Sequence, residues 1–312
     1  MMLNKVNILG IPLDLGAENL GVDIGPQAFR YQNIVSKLQS TGLEVFDQGD
    51  ILVRPRKDLT VGDKHLRYID EIIRVNNEVA DVTYKCLKDN QAVVALGGDH
   101  SMCLGVVSGA SVAFDGDLAL IYLDAHGDMN TSETTLSGNI HGMHTASLLG
   151  HGDNRLIDLY SPGRKIKNDN FLHIGGSDWD NAELDLISSE KLKVFSMFDL
   201  LNQNLAPLLK MIDDISKIAN QVWVSLDLDV IDQIYAPGAG MPNAKGLTYR
   251  EIAVIADYIG QHCRVVGVDV AEYNPLQDKE SKTAELGIEL IAKFLGRNYS
   301  WYTGYMERNK IF

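Results

Sequence analysis

The sequence predicts an α/β protein. The expectation is a single domain over residues 1–312 with about eight mostly parallel strands and helices on both faces, a three-layer αβα arrangement. Three observations carry it. Short β-branched apolar runs recur and alternate with helix-like stretches, the pattern of βαβ crossovers. Several of these runs are apolar on both faces, as strands covered from both sides must be. No internal repeat, low-complexity tract or Pro/Ser-rich linker interrupts the 312 residues.

The expected strands, in order, are 6–11, 43–47, 91–96, 118–123, 171–174, 192–195, 222–226 and 264–270. Between them the pattern predicts helices over 25–39, 66–88, 205–219, 248–259 and 283–295. The fourth has the sharpest start: Thr248 is followed three residues later by Glu251, the spacing of a capping box. The polar, Gly/Ser/Thr/Asn-rich stretch 127–142 follows a strong strand and is expected to be a functional loop.

Charge narrows the function. The chain has 42 acidic and 28 basic side chains, a formal charge of −14, and a pI near 4.9. That balance argues against nucleic acid as a partner and against a polybasic membrane anchor, because both need a basic surface. No run of about 20 apolar residues is present to span a bilayer. The first ten residues lack a basic segment followed by a long apolar one, so no signal peptide is expected. The three cysteines, Cys86, Cys103 and Cys263, are scattered and form no CxxC. Reduced thiols rather than disulfides or a thiolate zinc site are expected, and with them a cytoplasmic enzyme.

Some of the acids sit where chemistry is done. The apolar run 120–123 leads into Asp124-Ala125-His126-Gly127-Asp128. In extended backbone, positions i, i+2 and i+4 share a side, so Asp124, His126 and Asp128 can converge. Two carboxylates forced together repel, and a divalent cation removes that penalty. The run 222–226 leads likewise into Asp227-Leu228-Asp229, with both side chains on one side. Asp232 breaks the spacing and is left out. After 91–96, Gly97-Gly98-Asp99-His100-Ser101 permits a tight turn that presents His100, with Asp99 positioned to orient the histidine.

Each element alone is weak. Together, at the carboxyl ends of three different strands, they offer two imidazoles and four carboxylates. That is too many donors for one four-coordinate zinc, and the oxygen-rich set suits Mn²⁺ or a similar ion. Such a cluster fits either metal-assisted hydrolysis on two ions or a structural metal site.

These three segments, Gly97–Ser101, Asp124–Asn130 and Ser225–Asp232, resemble the signatures of the ureohydrolase superfamily, and the likeness runs from Leu9-Gly10 to about Asn274-Pro275. The resemblance implies a binuclear manganese site, with cobalt as an alternative. His100, Asp124, Asp128 and Asp227 would hold one ion and His126, Asp124, Asp227 and Asp229 the other, Asp124 and Asp227 bridging.

The segment Ser137-Gly138-Asn139-Ile140-His141-Gly142 is similar to the arginase branch in particular. That likeness implies that Asn130, Thr135 and Ser137 bind the substrate α-carboxylate and that Asn139 and Asp180 serve the α-amino end, with Glu183 and Thr248 as further substrate-side residues. Neutral amide and hydroxyl donors suit a carboxylate, and Asp180 suits an ammonium. The likeness assigns His141 as the proton-shuttling histidine, Asp128 as a catalytic metal ligand, and Glu272 of Glu272-Tyr273-Asn274-Pro275 as the grip on the guanidinium. It implies hydrolysis of L-arginine to L-ornithine and urea by a metal-bridging hydroxide. Agmatine, a guanidino acid and formiminoglutamate are alternative substrates, and a non-catalytic metal-binding protein of the same fold is the alternative of another class. The partner is then a small cationic guanidino compound, and the chain a homo-oligomer, trimer or hexamer. The sequence departs from the pattern at His144, Met241 and Tyr273, and His144 and His151 are read as surface or structural residues.

Overall fold

The structure is a computed structural model that describes residues 3–299. The ends of the expected 1–312 domain, residues 1–2 and 300–312, lie outside the described residues. All eight expected strands form: β1 (Lys5–Ile11), β2 (Glu44–Asp50), β3 (Ala92–Gly97), β4 (Leu118–Asp124), β5 (Phe171–Gly175), β6 (Lys193–Ser196), β7 (Gln221–Asp227) and β8 (Val265–Ala271). They make one sheet in the order β2-β1-β3-β8-β7-β4-β5-β6. Every neighbouring pair is parallel, so the sheet is all parallel rather than mostly so.

Period-2 alternation divides the strand side chains between two apolar layers. In β4, Ala119, Ile121 and Leu123 pack on one face, and Leu118, Leu120 and Tyr122 on the other. The first layer is completed by the helices Ala206–Ile218, Tyr249–His262 and Lys282–Phe294, and the second by Ile69–Lys88 and Cys103–Ala113. The Thr248 capping box forms as expected: the Thr248 hydroxyl caps the Glu251 N–H, and the Glu251 carboxylate accepts the Thr248 N–H at 2.7 Å.

Two helix expectations needed correction. The expected helix 25–39 is two helices, Gly25–Tyr31 and Ile34–Ser40, because Asn33 turns left-handed at φ 58°. The helix Cys103–Ala113 was not read from the sequence. It is buried nearly all round, so it shows no amphipathic stripe.

One buried charge in the second layer has a measurable consequence. The Glu71 side chain is 1% exposed and is held by Arg54 Nε at 2.7 Å and Arg74 Nη2 at 2.8 Å. Burial alone would raise its pKa; the hydrogen bonds from Arg74 and Arg54 outweigh it and lower the value to about 2. A depressed carboxylate stabilises the fold above its unfolded pKa and loses that contribution as pH falls toward the folded value. Glu71→Gln is therefore expected to lower the unfolding free energy by about 2 kcal/mol at pH 7. The gap to the parent should close between pH 4.5 and about 2. Urea unfolding at several pH values checks this, and a gap that stays constant down to pH 3 would refute it.

Candidate metal centre

The strand order builds the site. β3, β8, β7 and β4 are consecutive neighbours, although far apart in sequence, so their carboxyl ends open on one crevice. β3 delivers His100 through a tight turn: a Cβ on Gly98 would lie 1.8 Å from the Leu13 carbonyl oxygen, so only glycine fits. β4 delivers Asp124, β7 Asp227, and β8 Glu272 one residue beyond its end. Asp128 and Glu272 both hold left-handed backbone, at φ 52° and 59°, which non-glycine residues adopt at a cost. Asp128 departs from extended backbone there, so i, i+2, i+4 spacing alone did not fix its placement.

The six donors come together. His100 Nδ1 is 3.0 Å from Asp124 Oδ2, 3.2 Å from Asp227 Oδ2 and 3.7 Å from Asp128 Oδ2. His126 Nδ1 is 3.0 Å from Asp229 Oδ2 and 3.5 Å from Asp124 Oδ1. Among the described residues, His100–Asp124–Asp128 and Asp124–His126–Asp229 each place their ligand atoms within 4.8 Å of one another. Asp124 belongs to both sets, the arrangement two adjacent cations need.

Electrostatics supports cations in this volume. Burial, then the Asp124 charge, pushes the Asp128 carboxyl up to about 7, and burial, then Asp229, pushes Asp227 well above the usual carboxylate range. Burial opposes charge on the two imidazoles, but hydrogen bonds to Asp124 and its neighbours outweigh it and raise both His100 and His126. Asp124 goes the other way: burial works to raise it, and hydrogen bonds from His100 and His126 pull it well down. Without ions the cluster balances its charge only by keeping protons on imidazoles and on part of the carboxylates. Divalent ions would replace those protons, so the donor set fits two such ions.

Residues other than the six donors hold them in place. The Tyr122 hydroxyl donates to Asp124 Oδ2 at 2.5 Å and Asp128 Oδ2 at 2.8 Å. Tyr122 lies two residues before Asp124 on the same strand face, and that spacing was the available signal. Asp269 accepts from Ser225 Oγ at 2.7 Å and from Trp223 Nε1, and Ser225 Oγ contacts His100 Nε2 at 2.8 Å. Asp99 acts through the backbone. Its carboxylate caps the turn carrying His100 through the Ser101 N–H at 3.0 Å and ties down the Gly16 N–H at 2.8 Å.

Glu272 and His141 pair at the same crevice. His141 Nδ1 is 3.3 Å from Glu272 Oε1, which also accepts the His100 N–H at 3.1 Å. Burial disfavours the His141 charge, but the hydrogen bond to Glu272 raises its pKa to about 9. A Cβ at position 240 would come within 2.4 Å of Glu272 Oε2, so a larger residue there would push the Glu272 side chain.

The remaining residues of the expected substrate pocket divide. Asn130 Nδ2 donates to Asp180 Oδ2 at 2.8 Å, and Asp180 with Glu183 forms the capping box of the helix Asn181–Ser189. Glu183 is buried and accepts the Met129 N–H at 3.0 Å. Thr135 and Ser137 accept the N–H groups of Gly138 and Asn139 within the loop. The Asn139 Oδ1 is buried without a hydrogen-bond partner among the described residues. Thr248 is exposed, and the structure gives its side chain the role of helix cap.

The departures also resolve. Tyr273 is 2% exposed, packs on Phe29 at 4.8 Å and donates to Asp278, so it belongs to the apolar layer. Met241 is 41% exposed. His151 pairs at the surface with Glu190 at 3.5 Å. His144 is not a surface residue: it is fully buried, its ring centroid 4.4 Å from that of His100.

The sequence profile described as "Arginase family" matches residues 4–296. The chain belongs to the arginase family. The arginase of Brevibacillus brevis is 37% identical over 296 residues, covering 95% of this chain and 99% of that one. The solved arginase of Bacillus caldovelox superposes with a TM-score of 0.91 at 32% identity, covering 95% of this chain and 99% of that chain. The arginase of Entamoeba histolytica, solved with L-ornithine, superposes at 0.87 with 27% identity, covering 95% and 100%. Family membership accounts for the eight-stranded parallel sheet.

Proposed function

We propose that this member of the arginase family hydrolyses L-arginine to L-ornithine and urea on two divalent ions, with manganese the preferred metal. The observation that carries the reading is the convergence of the six donors and the Glu272–His141 pair on one crevice. His100, Asp124, Asp128 and Asp227 would hold one ion, and His126, Asp124, Asp227 and Asp229 the other. When bound, the ions acidify water and stabilise negative charge developing on the substrate.

The chain's own residues supply the rest. The Glu272 carboxylate, poised by the His100 N–H, pairs with the planar guanidinium and sets the carbon over the donor cluster. The His141 side chain is 21% exposed, so its ring spans solvent and site and can pass a proton to the departing amine. Asn130, Thr135 and Ser137 offer neutral donors to the α-carboxylate, and Asn139, Asp180 and Glu183 offer oxygens to the α-ammonium. The same reading takes the chain as one domain and extends to a homo-oligomer in the cytoplasm, supported there by three free cysteines.

Side-by-side assay of urea release from L-arginine, agmatine and guanidinobutyrate tests the substrate. Agmatine lacks the carboxylate, so turnover of agmatine in preference to arginine would overturn the reading. Removing the metal by dialysis should abolish urea release, and manganese should restore it. For His141→Asn, kcat is expected to fall about 10²-fold with KM changed less than threefold, the signature of a group that moves a proton rather than binds substrate. Steady-state kinetics with arginine checks this. A KM effect larger than the kcat effect would assign His141 to binding.

A further inference from the structure

We propose that Cys103, His144 and His100 form a second, softer metal site behind the carboxylate cluster, suited to a borderline divalent ion such as Zn²⁺ or Co²⁺. The proposal depends on the reading above in one respect, that His100 also serves the oxygen-rich site. All three side chains are fully buried, and one ligand atom from each lies within 4.8 Å of the others.

His144 is prepared as a ligand. Its Nδ1–H donates to the His141 carbonyl at 2.6 Å, which leaves the lone pair on Nε2. That Nε2 is buried with no hydrogen-bond partner among the described residues. A backbone carbonyl holding one ring N–H is the usual way a metal-binding histidine is oriented through the other nitrogen. A buried acceptor left unpaired is unfavourable, and a cation would satisfy it.

His100 has two faces. Its Nδ1 looks toward Asp124 and Asp227, whereas its Nε2 contacts the Ser225 hydroxyl at 2.8 Å. That hydroxyl is 3.5 Å from Cys103 Sγ and donates to Asp269, so thiol and imidazole share a neighbour on the side of His100 away from Asp124 and Asp227 but beside Asp269. Two imidazoles and a thiol favour zinc or cobalt over manganese, the opposite preference to the neighbouring oxygen-rich set. On binding, the metal–sulfur and metal–His100 bonds form as the thiol proton and the Nε2 proton that the Ser225 hydroxyl accepts both leave to solvent, with no change of oxidation state. A neutral imidazole has one lone pair, so His100 cannot ligate an ion on each face. Loading the softer site therefore draws His100 away from the carboxylates and lowers hydrolysis.

Titrating the metal-stripped full-length chain with Co²⁺ should produce a thiolate-to-cobalt charge-transfer band in the near ultraviolet. The band should vanish in Cys103→Ala and weaken in His144→Phe, with circular dichroism confirming that both variants fold. Cys103→Ser, closer in size to cysteine, serves should the alanine variant be unstable. In the manganese-loaded protein, added Zn²⁺ should inhibit urea release at least tenfold more strongly in the parent than in Cys103→Ala. Absence of the band at saturating Co²⁺, its persistence in Cys103→Ala, or equal zinc inhibition of both proteins would overturn the proposal. The optical readout does not need turnover, so failure of the arginine reading would show separately as absent urea release.

Discussion

Asp227→Asn is expected to reduce urea release from L-arginine by roughly 10³-fold, the several kcal/mol that a correctly held metal pair contributes. Asp227 lies 3.2 Å from His100 Nδ1 on the last residue of β7, and in the proposed site it is shared by both ions. The stability effect should have the opposite sign in metal-free protein. Burial first, and then the Asp229 and Asp124 charges, raise its pKa well above the ordinary carboxylate value. A carboxyl raised by the fold costs stability as pH climbs above its unfolded pKa, since the unfolded chain releases the proton more readily. The metal-stripped variant should therefore melt at or above the metal-stripped parent at pH 8. With manganese added the order should reverse, because the parent gains binding energy that the variant lacks. Calorimetry with and without manganese, alongside metal analysis, reads both effects. A variant that keeps two ions and more than a tenth of parental turnover would remove Asp227 from the site.

Glu272→Gln is expected to lower kcat/KM for arginine by about 10²- to 10³-fold, equivalent to about 3–4 kcal/mol, while two ions remain bound. The substitution keeps the shape of the side chain but removes the charge that pairs with a guanidinium. Glu272 Oε1 is otherwise engaged by the His100 N–H and the His141 ring, and its backbone is locked by the Gly98 carbonyl at 2.8 Å and the Gly240 N–H at 2.6 Å. The carboxylate is thus positioned before substrate arrives. Loss of bound metal in this variant would instead point to a structural role, and unchanged kinetics would remove Glu272 from the substrate grip.

Much of the site was legible because strand-end motifs are local. Asp124 and Asp227 close their strands at the spacing expected from the sequence, whereas His126 and Asp229 lie just past the strand ends in a bend and a 3-10 turn and still meet at 3.0 Å. Asp180 was read as a group for an ammonium. The structure shows its carboxylate capping a helix and bonded to Asn130, a local role that Asp180-Asn181-Ala182-Glu183 already spells as a capping box. His144 was read as surface or structural, because nothing in its neighbours signals which. Only the packing of the helix His144–Leu148 against the helix beginning at Cys103 puts its ring beside His100.

The sequence alone predicted the eight strands and proposed the donors, because apolar periodicity and i, i+2 spacing are properties of a few consecutive residues. It could not determine which strands adjoin. The order β3-β8-β7-β4 brings together residues as far apart as Val93 and Gly267 in sequence, and with them His100 and Glu272, 172 positions apart. Parallel pairing of such distant segments is decided by the burial of both sheet faces at once, which leaves no periodic mark on any one segment. The left-handed turns at Asp128 and Glu272, the Tyr122 hydroxyl between two carboxylates and the Cys103–His144–His100 pocket all follow from that packing.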